Sequence, residues 1–557
     1  MQSGRVWTRP AITHPAPESV TQGTSQIPEV PNYRPRRRLA RNTAIFAFFT
    51  GLSRIVGLVR EIIANYYFGT HLPASAFTIA SQIPNLMTNL FAQAALSAAF
   101  VPVFTDLLEK GRRRDAFRLA STLFWLILIV LGSITVLGIV LAGVILPLFS
   151  GPHFAGQLAA TLTQIMFPVV LVLGLTGLLV GILQSYDEFS IPALAPVVWN
   201  LVIIVLLVVL RPRFTTGHQI YSYAIAWLIA TVVQFLLVAS ALRRIDFRLG
   251  FQLDWRDPRV KQVFLLMLPV TIGLGIINLD ALINSTFGAL VSAQAPRAIQ
   301  TAFLIYMLPQ GVFSVAVSTV MFPTLSRQAS RRAPAEMRHT LATGIRAINL
   351  LLIPSAAGLM VLATPVIRLV FQHGEFTATS THLTSLALFW FAFSLPFAGV
   401  NLLLVRTFFA LQRPWIPTGL AAINMTIDVI LSIGLYRPLG IQGLVIGTAV
   451  ANIVMTWLLL HRLRIGFNGR LEGEQTVMIT VRIVVASILT AAIARLVWAL
   501  IDRVAGVSFI GQLASVGAAV AASGVFYAWA VLRMRIPEAR QIERLVRGRL
   551  SAARAGA

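Results

Sequence analysis

Across 557 residues the chain is 57% hydrophobic and 12% charged, with mean hydropathy +0.78, about half the charged fraction of an average soluble domain. Such a composition excludes a soluble globular enzyme and points to an all-α polytopic membrane protein, since only helices or closed barrels satisfy their backbones in lipid. Without cysteine there is neither a disulfide framework nor a thiolate metal site, and the net charge of +25 has to be explained by its distribution.

In chain order, residues 1–38 are polar, Pro-rich and basic without an apolar core, and read as a disordered cytoplasmic tail with no cleavable signal. A spanning helix needs about 20 mostly apolar residues. Apolar runs and breaks then give about fourteen transmembrane helices, at 43–67, 74–107, 117–149, 157–184, 190–210, 219–242, 262–291, 297–326, 341–371, 381–411, 416–435, 441–461, 477–501 and 508–533. A basic cytoplasmic tail, 536–557, closes the chain.

The first run contains SRIVGLVRE, which puts Arg54, Arg60 and Glu61 where lipid is expected. A charge at a helix centre costs roughly 2.5–3.5 kcal/mol on insertion scales, so such residues face a cavity or a partner. Arg54 and Glu61 lie two turns apart and share a face, with Gly57 opening room between them. The helix therefore reads as lining a polar cavity. The competing reading is that the arginines snorkel to the headgroups and only set orientation.

Further polar residues interrupt later runs. In IINLDALIN, Asp280 and Asn284 are four residues apart and share a helical face. They are candidates for a protonatable or sodium-binding site, or for a hydrogen-bonded packing cluster. Asp428 receives no role, Arg406 is either part of a functional motif or a stabiliser of the cytoplasmic half of its helix, and Arg495 is a weak candidate for a lipid-facing groove. His373 and Glu375, in FQHGEFT, read as a solvated loop. No metal site and no cofactor is expected.

The cations fall in alternate loops: Arg36 to Arg38, Lys110 with Arg112 to Arg114, Arg243 with Arg244 and Arg248, Arg327 with Arg331 and Arg332, Arg413, Arg462 with Arg464, and Arg533 onward. The intervening loops hold fewer, namely Arg211, Arg213, Arg297, Arg437 and Arg503. By the positive-inside rule both termini are cytoplasmic, which requires an even number of spans. The excess charge is topogenic and faces membrane lipid; it is not a nucleic-acid footprint.

The chain also repeats itself. FVPVFTDLLEKGRRRDAFRLAST from Phe100 parallels MFPTLSRQASRRAPAEMRHTLAT from Met321, PLFSGPHFAGQLAATLT from Pro147 parallels RLVFQHGEFTATSTHLT from Arg368, and LQSYDEFSIPALAPVVWNLVII from Leu183 parallels FALQRPWIPTGLAAINMTIDVI from Phe409. The organisation expected is a six-helix lobe at 39–245, a second in the same orientation at 246–470, and two extra helices at 471–535. Transporters use such parallel repeats to build a central site between rocking bundles. No Walker, dinucleotide, His-Glu-x-x-His or Gly-x-Ser-x-Gly pattern competes with this plan, so no catalytic residue is assigned.

SRIVGLVRE, IPNLM from Ile83, AALSAAFVPVF from Ala94, GILQSYDEFSIPALAPVVWN from Gly181, FPTLSR from Phe322, RTFFALQ from Arg406 and PLGIQGLVIGTAVAN from Pro438 together resemble the MurJ (MviN) family, over about residues 42–465. The resemblance implies fourteen helices in the multidrug/oligosaccharidyl-lipid/polysaccharide flippase superfamily. It implies transfer of lipid II, the undecaprenyl-diphosphate-linked peptidoglycan precursor, from the inner to the outer leaflet of the bacterial cytoplasmic membrane, with the cell-wall synthesis machinery as partner. It also implies a groove for the lipid tail near the last two helices.

By the same resemblance Arg54 and Arg60 receive the diphosphate, Glu61 stands where the family has Asp and holds them between cargoes, and Asn85 either supplies a neutral hydrogen bond or serves helix packing. Four positions depart from the pattern: Ser75 for Asp, Thr88 for Arg, Gln93 for an acid, and Leu304 where helix eight carries a cavity arginine. Three functions stay open on sequence alone: a lipid II flippase, an exporter of another lipid-linked oligosaccharide or a cation-coupled drug antiporter, and a non-transporting membrane scaffold.

Overall fold

The computed structural model describes residues 35–91, 94–148, 155–245, 247, 249–467, 472–506 and 508–540. Most of the two expected tails therefore lies outside the described residues. Among those described there are eighteen α-helices and no strand: α1 (Pro35–Phe68), α2 (Leu72–Phe91), α3 (Ala94–Glu109), α4 (Arg113–Leu148), α5 (Gly156–Met166), α6 (Pro168–Ser185), α7 (Ser190–Leu210), α8 (Ile220–Ala241), α9 (Pro258–Val291), α10 (Ala295–Pro309), α11 (Val315–Ser330), α12 (Pro334–Val361), α13 (Ala363–Phe371), α14 (Ala378–Ala410), α15 (Trp415–Leu439), α16 (Ile441–Gly466), α17 (Gly473–Ala505) and α18 (Phe509–Arg533).

Eleven helical stretches are long and apolar enough to cross a membrane. The three remaining sequence-expected spans correspond to α1, to α2 with α3, and to α9, which carry the polar residues singled out above. Helix starts follow local chemistry. The Asp257 carboxylate accepts the Arg259 backbone N–H at 2.8 Å ahead of Pro258 and so caps α9, and Thr377 and Ser508 cap α14 and α18 in the same way. Between α10 and α11 the helix runs through one π turn, Gln310–Ser314, directly after Pro309, a distortion that lone prolines and functional sites favour.

Buried side chains segregate along the chain. Residues from Ala295 to Phe467 build one continuous core, while two further cores draw on residues from Ala64 to Ala289. The helix α9 belongs to neither half alone: Val260, Val263 and Met267 pack with α3, α4 and α6, and the helix as a whole also packs on α15.

The hairpin α17–α18 is fastened to α12. Arg346 Nε donates to Glu538 Oε1 at 2.5 Å with both side chains buried, Asn349 Nδ2 donates to Thr480 at 3.1 Å, and Tyr527 Oη donates to the Leu350 carbonyl at 2.6 Å. At the other end Arg368 pairs with Asp502. Breaking a buried pair leaves an uncompensated charge, at about 3–5 kcal/mol. Glu538→Ala is therefore expected to lower the unfolding midpoint of the detergent-purified protein clearly, and Glu538→Gln to lower it less, because the amide still accepts from Arg346.

Candidate functional site: the polar face of the first helix

In α1 the residues Arg60, Glu61 and Asn65 lie in the last turns before Gly69, and they form the hub of a polar cluster that joins both halves. Arg60 Nη2 donates to Glu61 Oε1 at 2.6 Å, and Arg297 Nη2 of α10 donates to Glu61 Oε2 at 2.9 Å. Arg297 Nε donates to Asn65 Oδ1 at 3.0 Å, and its backbone N–H to Ser75 Oγ at 3.4 Å. Tyr223 Oη of α8 reaches Glu61 Oε1 at 3.5 Å. One carboxylate thus bridges two guanidinium groups from opposite halves, with the Arg297 side chain only 5% exposed. Charges this deep persist only when paired and hydrogen-bonded.

The Arg60 guanidinium also lies over two indole rings, Trp199 of α7 at 4.9 Å and Trp227 of α8 at 5.4 Å. Cation–π contact and the Glu61 bond together fix its direction. Trp199 is itself anchored, donating from Nε1 to Thr231 at 3.1 Å.

Arg54 goes elsewhere. Six residues separate it from Arg60, which is about 120° round the helix. Its guanidinium rests on the π turn, where a Cβ added to Gly311 would meet Arg54 Nη1 at 2.5 Å. The two arginines expected to act as a pair therefore stand on different walls in this conformation. Gly57 opens room toward α7, its Cβ position lying 3.6 Å from Asn200 Oδ1.

Asn85 is half-buried on α2 just after Pro84, and no described contact joins it to Glu61. Nearby, Gln82 Nε2 donates to Gln300 Oε1 of α10 at 3.4 Å, a neutral link between the halves. The side chains of Thr88, Gln93 and Asp280 lie outside the described residues. Asn284 does not stand alone: its Nδ2 donates to Asp428 Oδ2 of α15 at 2.8 Å, and Thr448 Oγ1 of α16 donates to the same carboxylate at 3.2 Å. Asp428, given no role from sequence, is 1% exposed.

Arg297, which the charge distribution put in a loop, is instead a buried residue of α10, two turns before Leu304 on the same helix. Leu304 packs against the core built by residues Ala295 to Phe467. The loop assignment of Arg297 hid its burial. Pro296 held the signal, because proline at the start of a helix puts the next residue in its first turn.

Beyond the cluster the halves interlock at the arginine-poor end. The Glu375 backbone N–H donates to the Tyr66 carbonyl at 2.9 Å, and the Thr70 and Ser380 hydroxyls share a buried hydrogen bond of 2.7 Å. Gly69 at φ +53° and Gly374 at φ +61° turn the two segments there, and a Cβ on either would strike the opposing backbone carbonyl. Only glycine meets both requirements. His71 Nε2 stands 3.7 Å from Glu375 Oε2 on the exposed rim.

A family model described as lipid II flippase MurJ matches residues 64–515. The lipid II flippase MurJ of Burkholderia cenocepacia is 32% identical over 427 residues, covering 75% of this chain and 82% of the relative. The probable lipid II flippase MurJ of Bdellovibrio bacteriovorus is 30% identical over 437 residues, covering 77% and 83%. A solved structure of lipid II flippase MurJ in an inward closed conformation superposes with TM-score 0.73 at 23% identity, over 88% of this chain and all of that one. An inward-facing multidrug resistance transporter of the MATE family superposes with TM-score 0.61 at 16% identity, over 76% and 98%. A family model that matches most of the sequence and a relative 32% identical over three quarters of the chain agree: the chain belongs to the MurJ lipid II flippase family.

Proposed function

We propose that this protein carries lipid II from the inner to the outer leaflet of the bacterial cytoplasmic membrane by alternating access. The observation that carries the reading is the Glu61 carboxylate held between Arg60 and Arg297 across the two halves. A carboxylate and a diphosphate compete for the same guanidinium donors. Planar guanidinium groups bind phosphate oxygens bidentately, more strongly in a partly dehydrated cavity. Cargo that takes over Arg60 and Arg297 releases Glu61, removes the ion pair that ties α1 to α10, and so loosens the closed end. Arg54, on a different wall against the π turn at Gly311, meets the rest of the headgroup.

By the positive-inside rule the arginine-rich loops and both termini are cytoplasmic, so the Gly69–Gly374 end faces outward and is shut here. Translocation of this kind needs no covalent chemistry from the protein. A precursor delivered outside is consumed by cell-wall synthesis machinery, which makes those enzymes its functional partners.

The Asp428 cluster supports cation coupling. Asn424, Asp428 and Ser432 sit one turn apart on a single face of α15, and Asn424 Oδ1 and Ser432 Oγ are buried without hydrogen-bond partners among the described residues. With Thr448 Oγ1 they present oxygens suited to a sodium ion or a proton. Asn284 ties this site to α9, the helix shared by both halves. A cation-coupled drug antiporter would need free carboxylates in the main cavity, whereas Glu61 is doubly paired with arginine.

Rescue of a strain depleted of its own lipid II flippase tests the proposal. Growth restored by the wild-type chain is the expected outcome, with sodium and proton dependence then read in proteoliposomes. A chain that inserts at normal levels and does not rescue refutes lipid II as cargo and favours the exporter or scaffold readings.

A further inference from the structure

We propose that the groove between α16 and α17, floored by α12, binds the phosphate headgroup of an anionic phospholipid at the arginine-rich end of the bundle. The hairpin helix α17 packs on α12 and α18, and α16 packs on α14 and α15. A cleft of about 260 Å³ is left between them. Its mouth carries Arg338 from the start of α12 and His461 and Arg464 from the last turns of α16, while Ile345, Leu460 and Val477 line the apolar part.

Cationic mouth above apolar wall is the profile of an amphiphile with a negative head. Depth agrees with charge. Trp457, 62% exposed, lies one turn before His461 and stacks on its ring at 5.4 Å, the position of an interfacial aromatic next to headgroup-level cations. The one acid in the lining, Glu472, lies 3.0 Å from His339 and 3.6 Å from Arg346 and faces two arginines of the mouth, Arg338 and Arg464. An acyl chain descending from the headgroup would fill the space beside Trp457 and Val477 and support the outer face of α17. The site involves neither the α1 cluster nor the cargo, so it stands or falls separately from the flippase reading.

The full-length protein purified from membranes of mixed phosphatidylglycerol and phosphatidylcholine, with retained lipids read by native mass spectrometry, tests it. Wild type is expected to retain phosphatidylglycerol over phosphatidylcholine by about tenfold. The double variant His461→Ala/Arg464→Ala is expected to lose that preference, and Arg462→Ala, on the same turns but outside the groove, to keep it. Val477→Trp fills the cleft without removing a charge and is expected to lower retention as well, which separates occupancy from misfolding. Equal phosphatidylglycerol retention in the double variant and wild type overturns the proposal. So does equal retention of the two phospholipids by wild type, or undecaprenyl phosphate displacing phosphatidylglycerol at tenfold lower concentration, which would assign the groove to the carried lipid.

Discussion

Arg297→Ala is expected to abolish rescue of a flippase-depleted strain while the protein still reaches the membrane. This side chain is the bridge between halves: it holds Glu61 at 2.9 Å and Asn65 at 3.0 Å from inside a buried site. Removing it leaves the Glu61 charge with one partner in place of two and strips Asn65 of its donor, and breaking a buried pair costs about 3–5 kcal/mol. It also deletes one of the two guanidinium groups proposed to take the diphosphate. Arg297→Lys separates the two losses, because a point charge preserves attraction to Glu61 but cannot span Glu61 and Asn65 together. It is expected to rescue partly. Immunoblots of the membrane fraction control for insertion, and full rescue by the alanine variant contradicts the role given to Arg297.

The second large effect concerns the outer latch. Gly374→Ala puts a side chain at φ +61° and drives its Cβ into the Tyr66 carbonyl. A left-handed conformation costs a non-glycine residue roughly 1–2 kcal/mol, and losing the Glu375–Tyr66 backbone bond adds about 1 kcal/mol. Together these shift the closed-to-open balance by about thirty- to a hundred-and-fiftyfold. A chain without cysteine makes the shift easy to read. Thr70, fully buried against Ser380 in the latch, becomes a unique reporter as Thr70→Cys. In an otherwise wild-type background it is expected to resist a membrane-impermeant thiol reagent, and with Gly374→Ala to react at least tenfold faster. Equal rates in both backgrounds would mean that the two glycines do not hold that end shut.

Much of the helical architecture was legible because lipid imposes one solution on an apolar backbone, and the runs from 117 to 533 are punctuated by proline, glycine and charge. The charged face of α1 was legible for the opposite reason, since Arg60 and Glu61 violate the apolar rule. What sequence could not supply was partnership. Glu61 and Arg297 are 236 positions apart, and nothing local to APRAIQ says that its arginine turns inward. Asp428 looked idle until Asn284 and Thr448 arrived from α9 and α16. Arg54 and Arg60 resembled a pair because they are close in sequence, but about 120° of helical rotation and the Trp199–Trp227 shelf send them to different walls. Trp199, Trp227 and Tyr223 carried no signal at all, being aromatic residues in apolar runs where core packing is the ordinary expectation.

Binding of lipid II to the purified protein tests the central claim most directly. If Arg60 and Arg297 receive the diphosphate, Arg60→Ala and Arg297→Ala should each weaken lipid II binding by about ten- to a hundredfold, the worth of a charge-assisted bidentate contact, and Arg54→Ala should weaken it less. Wild-type affinity in both the Arg60 and Arg297 variants, with binding lost only on removing residues outside the α1–α10 cluster, would contradict the account.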